Sequence, residues 1–316
     1  MKPYKILIPI APDQNLEDDR FRFLSAADST PCSVTLVSVI EDFKTLRVRY
    51  SDRLSSIELL DEAKLIERAR LAQRMEHLRA QYPAIHFDTE VLAGIGFIRL
   101  IEYAHQHQFH LIALMARSTP LRSAWFGSTT QHLLRKSTRP VLTLTPHAKP
   151  IRKVMIAVDA AADTPAEIAF NDQIAAEGFA WAAHHRAEVV LCHAWQLEGE
   201  GYLKYWSRKD DLDIALMAET ERASREQVLV RLAERHARGD LSPKISLVEG
   251  RPQDVIPPLL EKLDIDLLVM GTVCRTGIPG FIIGNTAESM IHTVNCSVLA
   301  LKPQGFVSPV EIKEGR

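Results

Sequence analysis

The chain has 316 residues, a length that suits about two domains of ordinary size. Its 46% hydrophobic and 25% charged residues are typical of a soluble globular protein. The net charge of −2 gives no overall positive potential that would attract nucleic acids. The N-terminal apolar run is too short for a signal peptide, and no stretch approaches the ~20 apolar residues of a membrane span. We therefore expect a cytoplasmic protein with no nucleic-acid or membrane partner.

An internal repeat organises the chain. Strand-like and turn-like segments of the first half recur in the second half in the same order. The offset drifts from 148 to 157 residues, as short loop insertions would cause. The connector 145–150 separates the two copies, so the sequence predicts one domain at 1–147 and a second at 151–304. The matched segments are 5–10 with 153–158, 34–37 with 189–192, 110–114 with 266–270, and 140–142 with 297–299.

Each half alternates apolar runs with helical patterns. The runs at 6–10, 112–115 and 267–270 are apolar throughout, which suits parallel strands that are buried on both faces. Charged, Leu/Ala-rich stretches such as 56–81 and 213–238 predict the helices between strands. Alternation of this kind implies right-handed crossovers. The predicted fold class is α/β, with two tandem doubly wound domains, each built on a five-stranded parallel sheet.

The carboxyl ends of the strands are the place to look for a ligand site, because ligands of doubly wound sheets bind there, where the strand order reverses. In the second half the first strand ends at Asp159 and the fourth ends at Gly271. A loop with Gly277 and Gly284 then leads to Asn285-Thr286, which we expect to cap the next helix. Glycines let backbone amides approach an anion, and a helix N-terminus favours phosphate. The sequence therefore predicts a ligand site at this edge.

The end of the chain resembles a known family. Gly271, Gly277 and the run Gly284-Asn285-Thr286-Ala-Glu288, followed by 296–302, are similar to the C-terminal motif of the universal stress protein family, especially its tandem E-type members. Through the repeat the resemblance covers the whole chain, and it is most specific over 264–303. It implies an adenine nucleotide alpha hydrolase-like fold.

The resemblance also implies a role for the final strands, predicted at 140–145 and 297–302. In single-domain members such strands commonly pair across a dimer. A tandem chain satisfies that contact internally, so we expect an intramolecular pseudo-dimer. Whether such chains also form a homodimer stays open.

The same resemblance assigns roles to individual residues. In the family an aspartate at the end of the first strand contacts adenine, which makes Asp159 the adenine candidate. The glycine loop holds the ribose and the phosphates, so ATP in the second domain is the implied ligand. The candidate set is Asp159, Gly271, Cys274, Gly277, Gly284, Asn285 and Thr286.

Two positions depart from the family's nucleotide-binding pattern, Gly-x-x-Gly-x9-Gly-Ser/Thr. Cys274 stands where the second glycine is expected, so a side chain enters the loop. Asn285 replaces the hydroxyl residue, although its amide also donates hydrogen bonds. Two interpretations stay open: a nucleotide site, or a loop that only caps the helix.

The first half retains less of the pattern. Ala11 takes the place of the aspartate, and the loop after Met115 is one residue shorter and keeps only Gly127-Ser128. Any nucleotide site is therefore expected in the second half alone.

The resemblance implies a non-enzymatic stress-response protein with one small-ligand site. A ligand-free structural or partner-binding module and a slow ATP hydrolase are the alternatives. The sequence has no paired carboxylates or metal cluster at a strand end, and no GxGxxG after either first strand. Cys192-His193 is not expected to be a catalytic pair, because adjacent strand residues point to opposite faces.

Overall fold

The chain folds into two compact units. The first comprises the described residues within 1–150 and 297–316, and the second those within 151–275 and 284–296. The computed structural model describes residues 4–12, 21–25, 32–41, 56–116, 127–146, 149–197, 199–206, 210–239, 241–272 and 284–310.

Strands and helices alternate along both halves. The strands are β1 (Tyr4–Pro9), β2 (Cys32–Ile40), β3 (His86–Ala93), β4 (Leu111–Met115), β5 (Val141–Leu144), β6 (Lys153–Ala157), β7 (Glu188–Trp195), β8 (Lys244–Glu249), β9 (Leu267–Gly271) and β10 (Ser297–Leu301). The helices are α1 (Ser56–Gln81), α2 (Gly96–Gln106), α3 (Ser128–Lys136), α4 (Pro165–His185), α5 (Glu200–Trp206), α6 (Asp211–His236), α7 (Pro252–Lys262) and α8 (Asn285–Thr293).

The first unit contains β1 to β5, which are parallel in the order β3-β2-β1-β4-β5. All five residues of β4 are buried, as expected for a strand covered on both faces. β10, from the second half of the sequence, pairs antiparallel with β5 and aligns Val298 with Thr143. The Thr143 hydroxyl donates a further hydrogen bond of 3.3 Å to the Val298 carbonyl oxygen. The last strand of the repeat thus extends the sheet of the first unit.

The second unit contains four parallel strands in the order β9-β6-β7-β8. Helix α4 begins with a capping box, in which Thr164 and Glu167 each bond the other's backbone N–H at 3.3 Å. Gly178 lets α4 pack tightly on β6, because a Cβ there would lie 2.6 Å from Cγ1 of Ile156. This packing fixes α4 closely against β6, the strand that leads to Asp159.

The predicted α/β fold class with doubly wound parallel strands is confirmed. The domain boundaries at 1–147 and 151–304 stay a prediction. In the structure, residues 297–301 join the first unit, because their strand pairs with β5.

Candidate functional site

Asp159 lies two residues beyond β6, in a turn that Asn171 fixes from α4. The Asn171 side chain accepts a hydrogen bond of 3.0 Å from the Asp159 N–H through Oδ1 and donates one of 2.6 Å to the Asp159 carbonyl oxygen through Nδ2. Asn171 is only 6% exposed. Buried amides of this kind need partners on both sides, and here the backbone of one residue supplies both.

The Asp159 carboxylate takes part in the same turn. Its Oδ1 accepts a hydrogen bond of 3.1 Å from the Ala161 N–H, and the Asp159 carbonyl oxygen accepts another of 3.1 Å from the Ala162 N–H. Side-chain bonds to a backbone N–H two residues on are typical of aspartate in turns. The protein's own hydrogen bonds therefore set the orientation of Asp159, the adenine candidate of the sequence analysis.

His193 supports this turn from the neighbouring strand, β7. Its Nδ1 lies 3.2 Å from the Ala160 nitrogen and 3.1 Å from the Val158 carbonyl oxygen. In one tautomer this nitrogen accepts a hydrogen bond from the Ala160 N–H, and in the other it donates one to the Val158 carbonyl oxygen. Either bond ties His193 to the segment 158–160. The His193 side chain is buried in this contact.

Cys192, the residue before His193, lies in a different environment. Its thiol is fully buried, and burial raises its pKa to about 12. A thiol with so high a pKa stays protonated at neutral pH and is a poor nucleophile. These observations agree with the expectation that the two residues do not form a catalytic pair.

Gly271 ends β9 beside this turn, since β6 and β9 are parallel neighbours that align Ala157 with Met270. A Cβ at Gly271 would lie 2.6 Å from Cε1 of Phe170 and 3.1 Å from Cδ1 of Ile174, both on α4. Packing against α4 thus requires a glycine here, whether or not a ligand binds.

The glycine loop after β9 is tied together at its ends. The Gly284 N–H donates a hydrogen bond of 2.9 Å to the carbonyl oxygen of Thr272, a buried residue. Gly284 is also the N-cap of α8, and Asn285 and Thr286 are the first residues of that helix. The expectation that Asn285-Thr286 would cap α8 is therefore wrong, because the cap position belongs to a residue without a side chain. Cys274 and Gly277 lie outside the described residues.

The matched edge of the first unit carries an ion pair. The Arg70 guanidinium bonds both carboxylate oxygens of Glu67, at 2.6 and 2.9 Å, and donates at 3.3 Å to the carbonyl oxygen of Ala11. Burial alone would raise the pKa of Glu67, but the hydrogen bonds and the charge of Arg70 hold it below its ordinary value. Side chains of the protein itself thus occupy the end of β1.

Comparison with known proteins decides the family. The model of the universal stress protein family matches residues 5–144 and again residues 150–302. The chain belongs to the universal stress protein family. Its two matches make it a tandem member, as the repeat predicts.

Among similar proteins, universal stress protein E of Salmonella typhi is 30% identical over 228 residues, covering 71% of this chain and 67% of the relative. The Escherichia coli K12 protein of that name is also 30% identical, over 71% of this chain and 66% of its own length. The match therefore spans about two thirds of each relative. These matches support the interpretation of this chain as a tandem universal stress protein similar to the E type.

Solved structures agree on the fold. A universal stress protein from Pseudomonas aeruginosa superposes with a TM-score of 0.67 at 23% identity, covering 95% of this chain and 94% of its own. One from Archaeoglobus fulgidus gives a TM-score of 0.61 at 17% identity, over 96% and 99% of the two chains. At these identities the likeness shows the fold alone.

The described part of this universal stress protein offers neither a metal-binding cluster nor a membrane-spanning helix. Within the described ranges, no three His, Cys, Asp or Glu side chains are grouped so as to hold a metal ion. Among the helices that the structure describes, none is long and apolar enough to cross a membrane.

Sequence reasoning located the two strand ends of this universal stress protein and considered His193 only as half of a catalytic pair, but it missed Asn171 and the bonds by which both residues build the Asp159 turn. A signal for Asn171 was available. It falls on the apolar stripe that continues with Ile174, Ala175 and Gly178, and a polar residue on such a stripe needs a specific partner. His193 had no comparable signal, because β7 is buried along nearly all of its length.

Proposed function

We propose that the second unit of this universal stress protein binds an adenine nucleotide, ATP being the ligand to test first. In this proposal the protein acts in the stress response as a binding protein in the cytoplasm, without efficient catalysis. The observation that carries it is the turn at Asp159, which Asn171 and His193 hold in place beside the end of β9. Preorganised polar groups at a strand-order reversal are the usual setting of a ligand site.

Each part of the proposed site has a distinct task. The Asp159 carboxylate accepts a hydrogen bond from the exocyclic amine of adenine. The backbone N–H groups at the start of α8 face the phosphates, where the helix dipole favours negative charge. The hydrogen bond between Gly284 and Thr272 keeps the two ends of the glycine loop together.

A ligand-free partner-binding module is the second candidate. It is favoured by Gly271, whose lack of a side chain is already explained by Phe170. It is also favoured by the Asp159 carboxylate, which serves its own turn. A pseudo-dimer with or without further self-association is compatible with either function and stays a prediction.

Titration calorimetry of the full chain with ATP tests the proposal. Asp159→Asn keeps an oxygen for the Ala161 N–H but removes the charge, and replaces one acceptor by a donor that repels the adenine amine. We expect it to weaken ATP binding roughly tenfold or more, the equivalent of one charged hydrogen bond. Asp163→Asn is the matched control, because Asp163 is an exposed aspartate of the same loop, and it should leave binding unchanged.

Two results would overturn the proposal. One is the absence of any heat of ATP binding at millimolar nucleotide. The other is equal affinity in the wild type and in Asp159→Asn. Rapid multiple-turnover ATP hydrolysis that Asp159→Ala abolishes would overturn the non-enzymatic role specifically.

A further inference from the structure

The amino-terminal end of the first strand is held in the same way in both units. The His110 N–H donates a hydrogen bond of 2.9 Å to the Lys5 carbonyl oxygen, and its counterpart in the repeat, the Asp266 N–H, donates one of 3.0 Å to that of Lys153. Each lysine ammonium also bonds the carbonyl oxygen three residues before that donor, at 3.1 and 3.2 Å. These matching distances make the second unit an internal reference for the first.

The acceptor of the lysine N–H is what differs between the units. The Lys5 N–H donates at 3.0 Å to Nδ1 of His110, whereas the Lys153 N–H donates at 3.0 Å to a carboxylate oxygen of Asp266. Carboxylates ordinarily stay ionised, and so accept hydrogen bonds, at neutral pH and in mild acid. An imidazole nitrogen accepts only in the neutral ring, because both nitrogens carry hydrogens in the charged ring. The bond from Lys5 therefore requires His110 to be neutral.

The surroundings of His110 also favour the neutral ring. Burial lowers the pKa of His110 below 6.5, and the positive charges of Arg139 and Lys5 lower it further. Lys5 faces the ring from β1, and Arg139 faces it from the segment that leads into β5. The Tyr4 ring stacks on it with the ring centres 5.0 Å apart, and His107 is the other titratable side chain of the same turn. A charge on His110 would thus add a further cation beside two others.

Protonation of His110 would replace an attraction with a repulsion. The hydrogen added at Nδ1 would point at the Lys5 N–H, so that a donor faces a donor, and the new charge would lie beside Lys5 and Arg139. Lys5 lies in β1, the middle strand of the first unit, which pairs with β2 on one side and β4 on the other. The bond thus anchors the start of a central strand.

We propose that His110 is a pH-sensitive switch of the first unit, whose protonation in mild acid frees the amino-terminal end of β1 from the turn before β4. Histidine is the side chain that ordinarily changes its charge between pH 5 and 8. The second unit lacks this response, because its acceptor is a carboxylate. The switch is independent of nucleotide binding, since it involves the amino ends of the strands and the proposed nucleotide site lies at their carboxyl ends.

The direction of the pH effect follows from the lowered pKa of His110. The folded protein keeps this ring neutral more strongly than the unfolded chain does, so the unfolded chain binds the proton first as the pH falls. The stabilisation is therefore present above about pH 6.5, the ordinary pKa of histidine, and is lost as the pH falls through the lower pKa of the folded state.

Nuclear magnetic resonance of the full chain from pH 8 to pH 5 tests the switch directly. The Lys5 amide resonance should shift in step with the His110 ring, with a midpoint below pH 6.5, whereas the Lys153 amide should not shift over this range. Hydrogen exchange of the Lys5 amide, corrected for its intrinsic pH dependence, should become roughly three- to tenfold faster relative to that of Lys153. This is the loss expected for one ordinary hydrogen bond.

Three variants separate the bond from other effects of acid. His110→Asp copies the acceptor of the second unit, and His110→Asn supplies an acceptor that stays neutral. In both, the urea midpoint of unfolding should fall less between pH 7 and pH 5 than it does in the wild type. His105→Asn is the matched control: it removes an exposed histidine from the last turn of α2 and should respond to acid as the wild type does.

Several outcomes would refute the switch. One is a Lys5 amide that does not follow His110, and another is an equal loss of stability between pH 7 and pH 5 in the wild type and in His110→Asn. A response of the same size at Lys153 would show that the units do not differ. If one His110 variant fails to fold, the other supplies the comparison, and the titration of the wild type needs neither. ATP binding enters none of these measurements, so the proposed function can fail while the switch stands, and the reverse.

Discussion

Asn171 bonds the N–H and the carbonyl oxygen of Asp159 with the two ends of one amide, at 3.0 and 2.6 Å. The two residues are twelve positions apart, on different secondary-structure elements. Because the amide is buried, neither bond can be replaced by water. The conformation of the turn after β6 therefore depends on a single side chain of α4.

Removing that side chain should destabilise the protein. In Asn171→Ala the Asp159 backbone loses a donor and an acceptor, at a cost of about 2–4 kcal/mol in the free energy of unfolding. Urea unfolding measures the change, with Ile168→Ala as the control, since Ile168 is on the same helix and half exposed. The control should change the unfolding free energy by less than about 1 kcal/mol. A cost for Asn171→Ala no larger than that of the control would contradict this account of the turn.

A methyl group at Gly271 should also be destabilising, through a clash with Phe170. The added Cβ would lie 2.6 Å from Cε1 and 2.8 Å from Cζ of that ring. We expect Gly271→Ala to cost about 1–3 kcal/mol, as overpacking generally does. Gly127→Ala is the control, because no atom lies within 4 Å of its added Cβ.

A double-mutant cycle identifies the cause of the Gly271 effect. Replacing Phe170 by alanine removes the clashing ring, so Gly271→Ala should be much less harmful in that background. Additive effects would show that the ring is not responsible.

The Glu67–Arg70 ion pair should make the first unit sensitive to acid. Glu67 has a folded-state pKa below its ordinary value of 4.5, mainly because Arg70 outweighs the effect of burial. Such a carboxyl stabilises the fold above its unfolded pKa, and the stabilisation is lost as the pH falls through the folded pKa. Glu67→Gln should therefore cost about 1–3 kcal/mol at pH 7, less than the roughly 3–5 kcal/mol typical of a broken buried pair, because the Arg70 side chain is 34% exposed.

The pH dependence supplies the check. The difference in unfolding free energy between the wild type and Glu67→Gln should shrink steadily as the pH is lowered from 5 towards about 3. Glu62→Gln, an exposed change on the same helix, should show no such trend. A difference that is constant across this range would mean that Glu67 does not stabilise the fold through its charge.

Cys274 provides a test of the glycine loop. If the second unit binds ATP, Cys274→Gly should strengthen binding, because the loop regains the glycine of the family's nucleotide-binding pattern. Cys274→Ser keeps a side chain of similar size and should bring no gain. Calorimetry of the full chain measures both, and an unchanged affinity in Cys274→Gly would show that this position does not limit binding.

The sequence predicts the strands of this protein well for a physical reason. Segments such as 112–115 and 267–270 are apolar throughout because both faces of the parallel sheet are covered, and the structure buries every residue of both segments. Parallel strands bring their carboxyl ends to one edge, so Asp159 and Gly271 could be placed together from the sequence alone.

The contacts that shape the site could not be predicted in this way. The bonds from Asn171 and His193 join residues 12 and 33 positions or more apart, and depend on how α4 and β7 lie against β6. The clash that makes Gly271 necessary depends on the direction of its missing side chain. Periodicity carries neither kind of information, because it reports which face of an element is buried but not what it touches.

The pairing of β10 with β5 has a consequence for biosynthesis. The first unit lacks one of its strands until residue 301 has been made, some 150 residues after β5. At about 5–20 residues per second, the β5 edge waits on the order of 10–30 s for its partner on the ribosome. An unpaired apolar edge of this kind is a site of faulty association with other chains. Nascent chains should thus be most vulnerable to aggregation while the second half is being translated, and a protein truncated at the connector would stay in that vulnerable state.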